Sequence, residues 1–233
     1  EQGMNILGAH IDSPRIDVKP NPLYESSEIA YLDTHYYGGV KKYQWLATPL
    51  ALHGVAVKMD GTRADISIGD NEGDPVLVIT DLLPHLADRQ MDKNAEDFIE
   101  GEKMDLVIGN RPAGKKEKEK QGVKKQILKL LKERYGIEEE DFLSAELEIV
   151  PAGKAKECGL DKSMILAYGQ DDRVCAFTSL FAMLEEKEPV RTSCCVLIDK
   201  EEIGSVGASG MTSRFFENTV AEYIALTTEY NDI

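Results

Sequence analysis

The chain has 233 residues, 27 of them basic and 42 acidic, with a formal net charge of -15 and a pI near 4.7. That balance excludes a surface built to bind nucleic acid or an anionic membrane, because both need clustered cations to release counterions. The length suits one sizeable core or two modest ones. The lack of a signal peptide or an 18-residue apolar span leads to an expectation of a cytoplasmic protein.

In chain order, Met4 to Ala9 reads as a strand ending at His10, and Pro14 stops it from continuing in a central position. The chain is expected to leave the sheet there, with His10 and Asp12 at the strand's carboxyl end. Between Ala51 and Ile79 short apolar runs alternate with turns. Leu52 to Val57 and Ala64 to Gly69 flank Asp60-Gly61, a good hairpin turn, and Pro75 to Ile79 reads as a further strand. The Lys/Glu run from Lys115 to Lys120 reads as a solvated loop or helix lead-in. Val123, Ile127, Leu130, Leu131 and Tyr135 recur at helical spacing until Gly136 ends the helix, and Leu147 to Val150 is the next strand, closed by Pro151. Ile165 to Tyr168 leads into Asp171 and Asp172. A helix follows from Arg173 to Glu186, with Val174, Phe177, Thr178, Phe181 and Leu184 spaced for one buried face. Cys194 to Ile198 is a near-continuous apolar run, as expected of a strand covered on both sides. The four cysteines, Cys158, Cys175, Cys194 and Cys195, lack zinc-knuckle spacing and read as reduced, buried thiols.

Three acidic or histidine-bearing stretches each follow an apolar run: His10-Ile11-Asp12, Asp171-Asp172 and Glu201-Glu202. Strand exits are the favoured ligand rim of open α/β sheets. His10 and Asp12 share a face in extended chain, where a carboxylate can orient a metal-bound imidazole. Asp171 and Asp172 could equally cap the following helix. Two adjacent glutamates are costly at a strand exit unless a cation or proton separates their charges, whereas in an acidic chain the plain reading is a solvated pair. Taken together, the stretches suggest one divalent-metal hydrolase site assembled from distant parts of the chain.

Gly8 to Pro14 resembles the first ligand motif of the aspartyl-aminopeptidase-like metallopeptidases. Tyr37-Gly38-Gly39, followed by Trp45 and Pro49-Leu50, is similar to a second stretch of that family. Asp199 to Ser205, with Gly207-Ala208 after it, resembles the family's glutamate pair. The resemblance implies an α/β fold, a three-layer metallopeptidase core with a central mixed sheet interrupted by a β-rich dimerisation domain. It also implies two metal ions, zinc with cobalt or manganese as alternatives, peptide substrates, and a homo-oligomer, dimer or dodecamer. By the same resemblance His10, Asp171 and Glu202 are metal ligands, Glu201 is the general base and Asp12 the orienting carboxylate. The resemblance further implies a cis peptide bond after Asp171 and that His85, within Leu82 to Leu86, reaches a neighbouring subunit's site.

The expected division is residues 1–50 as the first part of the core, 51–155 as the inserted domain and 156–233 as the second part. The resemblance further implies a later Asp and a late His as ligands. Neither motif precedes Ile233, so the chain is expected to be a fragment of a metal-dependent aminopeptidase, inactive by itself. Two alternatives stay open. One is an inactive assembly or scaffold protein with a degenerate peptidase fold. The other is an enzyme of the sister family of glutamyl-aminopeptidase-like and deblocking enzymes, which Asp171-Asp172-Arg173 resembles more closely.

Overall fold

Strand and helix signals resolve into ten strands and four helices among the described residues, 3–113 and 121–228 of a computed structural model. In chain order they are β1 (Met4–His10), β2 (Arg15–Ser26), β3 (Ile29–Tyr37), β4 (Leu50–Val57), β5 (Arg63–Ile68), α1 (Asp88–Met91), β6 (Leu106–Gly109) and α2 (Gly122–Tyr135). Then follow β7 (Ala145–Pro151), β8 (Lys156–Cys158), β9 (Met164–Leu166), α3 (Gln170–Glu185), β10 (Thr192–Ile198) and α4 (Phe215–Thr227). The α/β class expected from the sequence holds. None of the described helices is long and apolar enough to cross a membrane.

The chain divides into two compact units, one of Glu1–Pro14 with Gly169–Ile233 and the other of Arg15–Tyr168. These boundaries replace those expected near residues 50 and 155. The reason is the β2–β3 hairpin, whose strands belong to the six-stranded sheet of the second unit, ordered β5-β4-β7-β2-β3-β6. β2 joins that sheet through Ile16 opposite Ile149 and Asp17 opposite Glu148. Pro20 and Pro22 obscure β2 in the sequence, and the chain accommodates them with a shift of register between Val18 and Leu23. Likewise β8 and β9 form an antiparallel ribbon of the second unit.

Ile16, Leu32, Leu50, Leu106 and Ile149 lie wholly within the core of this second unit. Thr34 satisfies its buried hydroxyl by donating to the Met104 carbonyl at 2.8 Å. The β4–β5 hairpin turns where expected, with Gly61 at φ +80° and the Thr62 amide and hydroxyl both donating to the Asp60 carboxylate. α2 buries Val123 and Ile127, leaves Leu130 about half exposed, and ends at Gly136, whose φ of +67° lets its N–H reach the Lys132 carbonyl at 3.0 Å. The strand expected over Pro75 to Ile79 is instead a set of isolated bridges, Leu77 to Leu50, Ile79 to Leu46 and Val78 to Val107. The Lys115 to Lys120 run lies outside the described residues.

In the first unit β1 and β10 run parallel, from Met4 opposite Thr192 to His10 opposite Ile198, and α3 packs against both. Here three sequence expectations need correction. α3 forms, but Val174, Phe177, Phe181 and Leu184 are exposed and only Ala176 is buried. β10 is half-buried rather than covered on both faces, and the strand preceding Asp171, β9, is exposed in the other unit's ribbon. Apolar periodicity states which face seeks burial. It does not supply the partner, and among the described residues none covers these faces. The cysteines are free thiols, but none is fully buried and Cys175 is exposed.

Gly54 in β4 has φ +143°, and a Cβ there would stand 1.9 Å from the Glu146 carbonyl oxygen on β7. Gly54→Ala should therefore destabilise the protein by about 3 kcal/mol in urea unfolding, since backbone must move. Gly61→Ala, with nothing within 4 Å of the added methyl, should cost about 1 kcal/mol. Equal losses would show that the β4–β7 approach does not govern Gly54.

Candidate metal centre

The parallel register of β1 and β10 sets the site, because His10 and Ile198 are paired and both strands therefore end at the same edge. The Ile11 N–H continues the ladder to the Ile198 carbonyl at 2.8 Å. Beyond β10 the chain turns sharply. Lys200 takes φ +67°, Glu201–Ile203 forms one tight helical turn, and Gly204, at φ +83°, closes it with its N–H on the Glu201 carbonyl at 2.8 Å. This turn presents two consecutive backbone amides to β1's exit. Asp12, 5% exposed, accepts both: Oδ1 from the Glu201 N–H and Oδ2 from the Glu202 N–H, each at 3.2 Å. A buried carboxylate held by amide donors is a strong tether, and it fixes the backbone of both glutamates.

The His10 ring is fixed from the same turn. Its Nδ1 lies 2.8 Å from the Asp12 backbone carbonyl and 3.4 Å from the Asp12 carboxylate. Nδ1 is the donor to that carbonyl, which leaves the Nε2 lone pair directed away. The carboxylate of Asp12 was expected to orient the ring; the main-chain oxygen of the same residue is the nearer partner. Nε2 stands 3.3 Å from Asp171 Oδ1 and 3.9 Å from Glu201 Oε2. One ligand atom from each of His10, Glu201 and Glu202 lies within 4.8 Å of the others. Burial opposes a proton on His10, but the Asp12 carbonyl and the charges of Glu201, Asp12 and Asp172 outweigh it and raise the pKa above the ordinary histidine value. An imidazole ringed by carboxylates is a centre that attracts a cation. The mixed nitrogen and oxygen donor set suits zinc, whereas calcium or magnesium would favour oxygen alone.

Asp171 enters from the start of α3. Gly169 in the left-handed region is the helix N-cap, and Asp171 and Asp172 keep non-helical backbone angles, so the helix start is not organised by an aspartate in the N-cap position. The Asp171–Asp172 peptide bond is cis. Ser13, 3% exposed, donates to the Asp171 carbonyl at 2.9 Å and ties α3's entry to β1's exit. Sequence reasoning assigned no role to Ser13, although a small polar residue between a ligand motif and a proline was a usable signal. Cys175, one turn along α3 and read from the sequence only as a buried thiol, is exposed beside the site. Its thiol bonds to the Asp172 carboxylate, which pushes the thiol pKa up.

The structure thus brings together His10, Asp12, Asp171, Glu201 and Glu202. His85 belongs to the other unit, exposed in the turn Pro84–Leu86, where it lines a 760 Å³ cavity with Asp81, Arg89 and Phe98. The remaining histidines contact carboxylates elsewhere, His35 Nδ1 at 2.6 Å from Glu102 and His53 Nε2 at 2.8 Å from Asp70.

Comparison with known proteins shows the family. A family model described as aminopeptidase I zinc metalloprotease (M18) matches residues 1–233. A probable M18 family aminopeptidase 1 of Clostridium acetobutylicum is 56% identical over 231 residues, covering 99% of this chain and 50% of that protein. The crystal structure of an M18 family aminopeptidase from Thermotoga maritima superposes with a TM-score of 0.88 at 49% identity, covering 96% of this chain and 49% of that one. The vacuolar aminopeptidase 1 of Saccharomyces cerevisiae is 27% identical over 243 residues, covering 94% of this chain and 46% of that protein. The chain spans about half the length of the relatives it matches. By the match along its whole length, it belongs to the M18 family of aminopeptidase I zinc metalloproteases.

Proposed function

We propose that the protein is a zinc aminopeptidase that releases N-terminal residues from peptides. The observation that carries this reading is the convergence of His10, Glu201 and Glu202 ligand atoms within 4.8 Å, with Asp171 Oδ1 at 3.3 Å from the same imidazole. His10, Asp171 and Glu202 are the residues that would hold metal, with two ions in the active enzyme and cobalt or manganese as substitutes that nitrogen and carboxylate donors also accept. Bound zinc supplies Lewis-acid polarisation of the scissile carbonyl and a lowered pKa for water.

Glu201 is the proposed general base, taking the proton of the attacking water and delivering it to the departing amine. Its position supports the role. The main chain is clamped by Asp12, while the side chain is half exposed and open to substrate. Asp12 itself is a positioning residue: it holds the turn that carries both glutamates, and its carbonyl fixes the His10 ring.

The unit Arg15–Tyr168 is proposed as the dimerisation domain, within a homodimer or dodecamer, with His85 contributing across a subunit boundary as an oxyanion donor. The exposed Leu82, Leu83 and Leu86 beside His85 support such a contact, since a clustered apolar surface marks an interaction site. Four cysteines without a disulfide support a reducing, cytoplasmic setting.

In the intact enzyme, Glu201→Gln should keep its zinc and lose turnover by about 10²–10⁴-fold, the range of general-base catalysis. Glu202→Gln should lose zinc as well. Metal analysis alongside hydrolysis of an unblocked peptide panel checks both, and unchanged turnover in Glu201→Gln removes it from the base role. Asp12→Ala should weaken zinc binding about 10–100-fold, as loss of an outer-shell partner does. Chelator competition measures this effect, and a fall in melting temperature with zinc affinity intact would reduce Asp12 to a fold-stabilising residue.

A further inference from the structure

The second unit contains a cavity of 460 Å³ between the six-stranded sheet and α2. Its walls include Leu52, Ile66 and Leu147 from the sheet and Ile127, Leu130 and Leu131 from the helix. We infer that this cavity is a binding site for a small, uncharged apolar molecule, distinct from the peptidase chemistry.

Close-packed interiors have few voids larger than a water molecule, and 460 Å³ falls within the size range of small-molecule pockets. Away from the cavity, Ile16, Leu106 and Ile149 of the same core are fully buried at 0% exposure, so the space is local to the face under α2. Two polar ties hold α2's last turn over it. Arg134 Nη2 pairs with Asp74 Oδ1 at 2.9 Å, on the segment that supplies the wall residue Pro75, and Tyr135 Oη donates to the Ser67 carbonyl at 2.9 Å. These ties brace the helix at a distance that its apolar side chains do not fill. Leu130, 47% exposed, marks the opening.

The chemistry of the occupant follows from the lining. Water is poorly held where the walls are apolar. The charges at the rim are already matched, Arg134 by Asp74 and Glu133 by Lys129 at 3.7 Å, so an ionic ligand would find no partner. An uncharged aliphatic or fused aromatic molecule matches both the walls and the rim.

The test is fluorescence titration of the intact protein with the uncharged dye N-phenyl-1-naphthylamine, with 1-decanol as competitor. Saturable binding of one dye per chain, displaced by decanol and unaffected by chelating the zinc, is expected. Leu130→Lys, at the exposed mouth where folding tolerates it, should weaken binding at least tenfold. Ile66→Trp should abolish it by filling the space, without lowering the melting temperature; if that variant fails to fold, Leu130→Lys decides alone. Absence of saturable binding overturns the inference, as does affinity unchanged in Leu130→Lys or binding lost with the zinc.

Discussion

A single buried carboxylate organises the candidate metal centre. Asp12 stands at the end of β1, and its two oxygens take the amides of Glu201 and Glu202. A charge removed from water is costly unless every oxygen finds a donor, so Asp12 and the turn after β10 require each other. The tight turn needs Lys200 and Gly204 in the left-handed region to present consecutive N–H groups, and those groups give Asp12 its reason to be buried. Once the latch forms, the placement of His10, Glu201 and Glu202 follows with little further freedom.

The latch also explains how side chains with mutually repelling charge share one locality. The main-chain amides of Glu201 and Glu202 hold the Asp12 carboxylate. This leaves the His10 imidazole as the group on which the negative field of Glu201 and Asp171 converges. Such an arrangement is unfavourable for the polypeptide by itself and favourable with a cation, the balance expected of a metal site built before its metal arrives.

The two units differ in how fully they bury themselves. The unit Arg15–Tyr168 closes a sheet around a continuous core and even retains room within it. The other gathers the metal-site residues on a two-stranded parallel pair, while Phe177 and Phe181 stack on each other, exposed on α3. The candidate site residues and the buried core thus belong to different units, and the segment that forms the sheet is inserted in sequence between the strand that brings His10 and the helix that brings Asp171.

Much of this was legible from residues alone. The β4–β5 turn at Asp60-Gly61, α2 with its Gly136 stop, and α3 all follow from local chemistry, namely turn residues, capping and apolar period, while the three acidic or histidine-bearing stretches stand out by their places after apolar runs. These signals act over a few residues, so one chain segment contains them. The boundary at Arg15, the Pro-interrupted β2 and the exposure of α3's apolar face were not legible, because each depends on which distant strand or surface becomes a partner. The sequence by itself determined which side chains could bind a cation and which segments would be strands or helices. Tertiary structure alone decided that Asp12's carboxylate would clamp the glutamate turn while its carbonyl held His10, because only the parallel register of β1 and β10 puts those amides within reach.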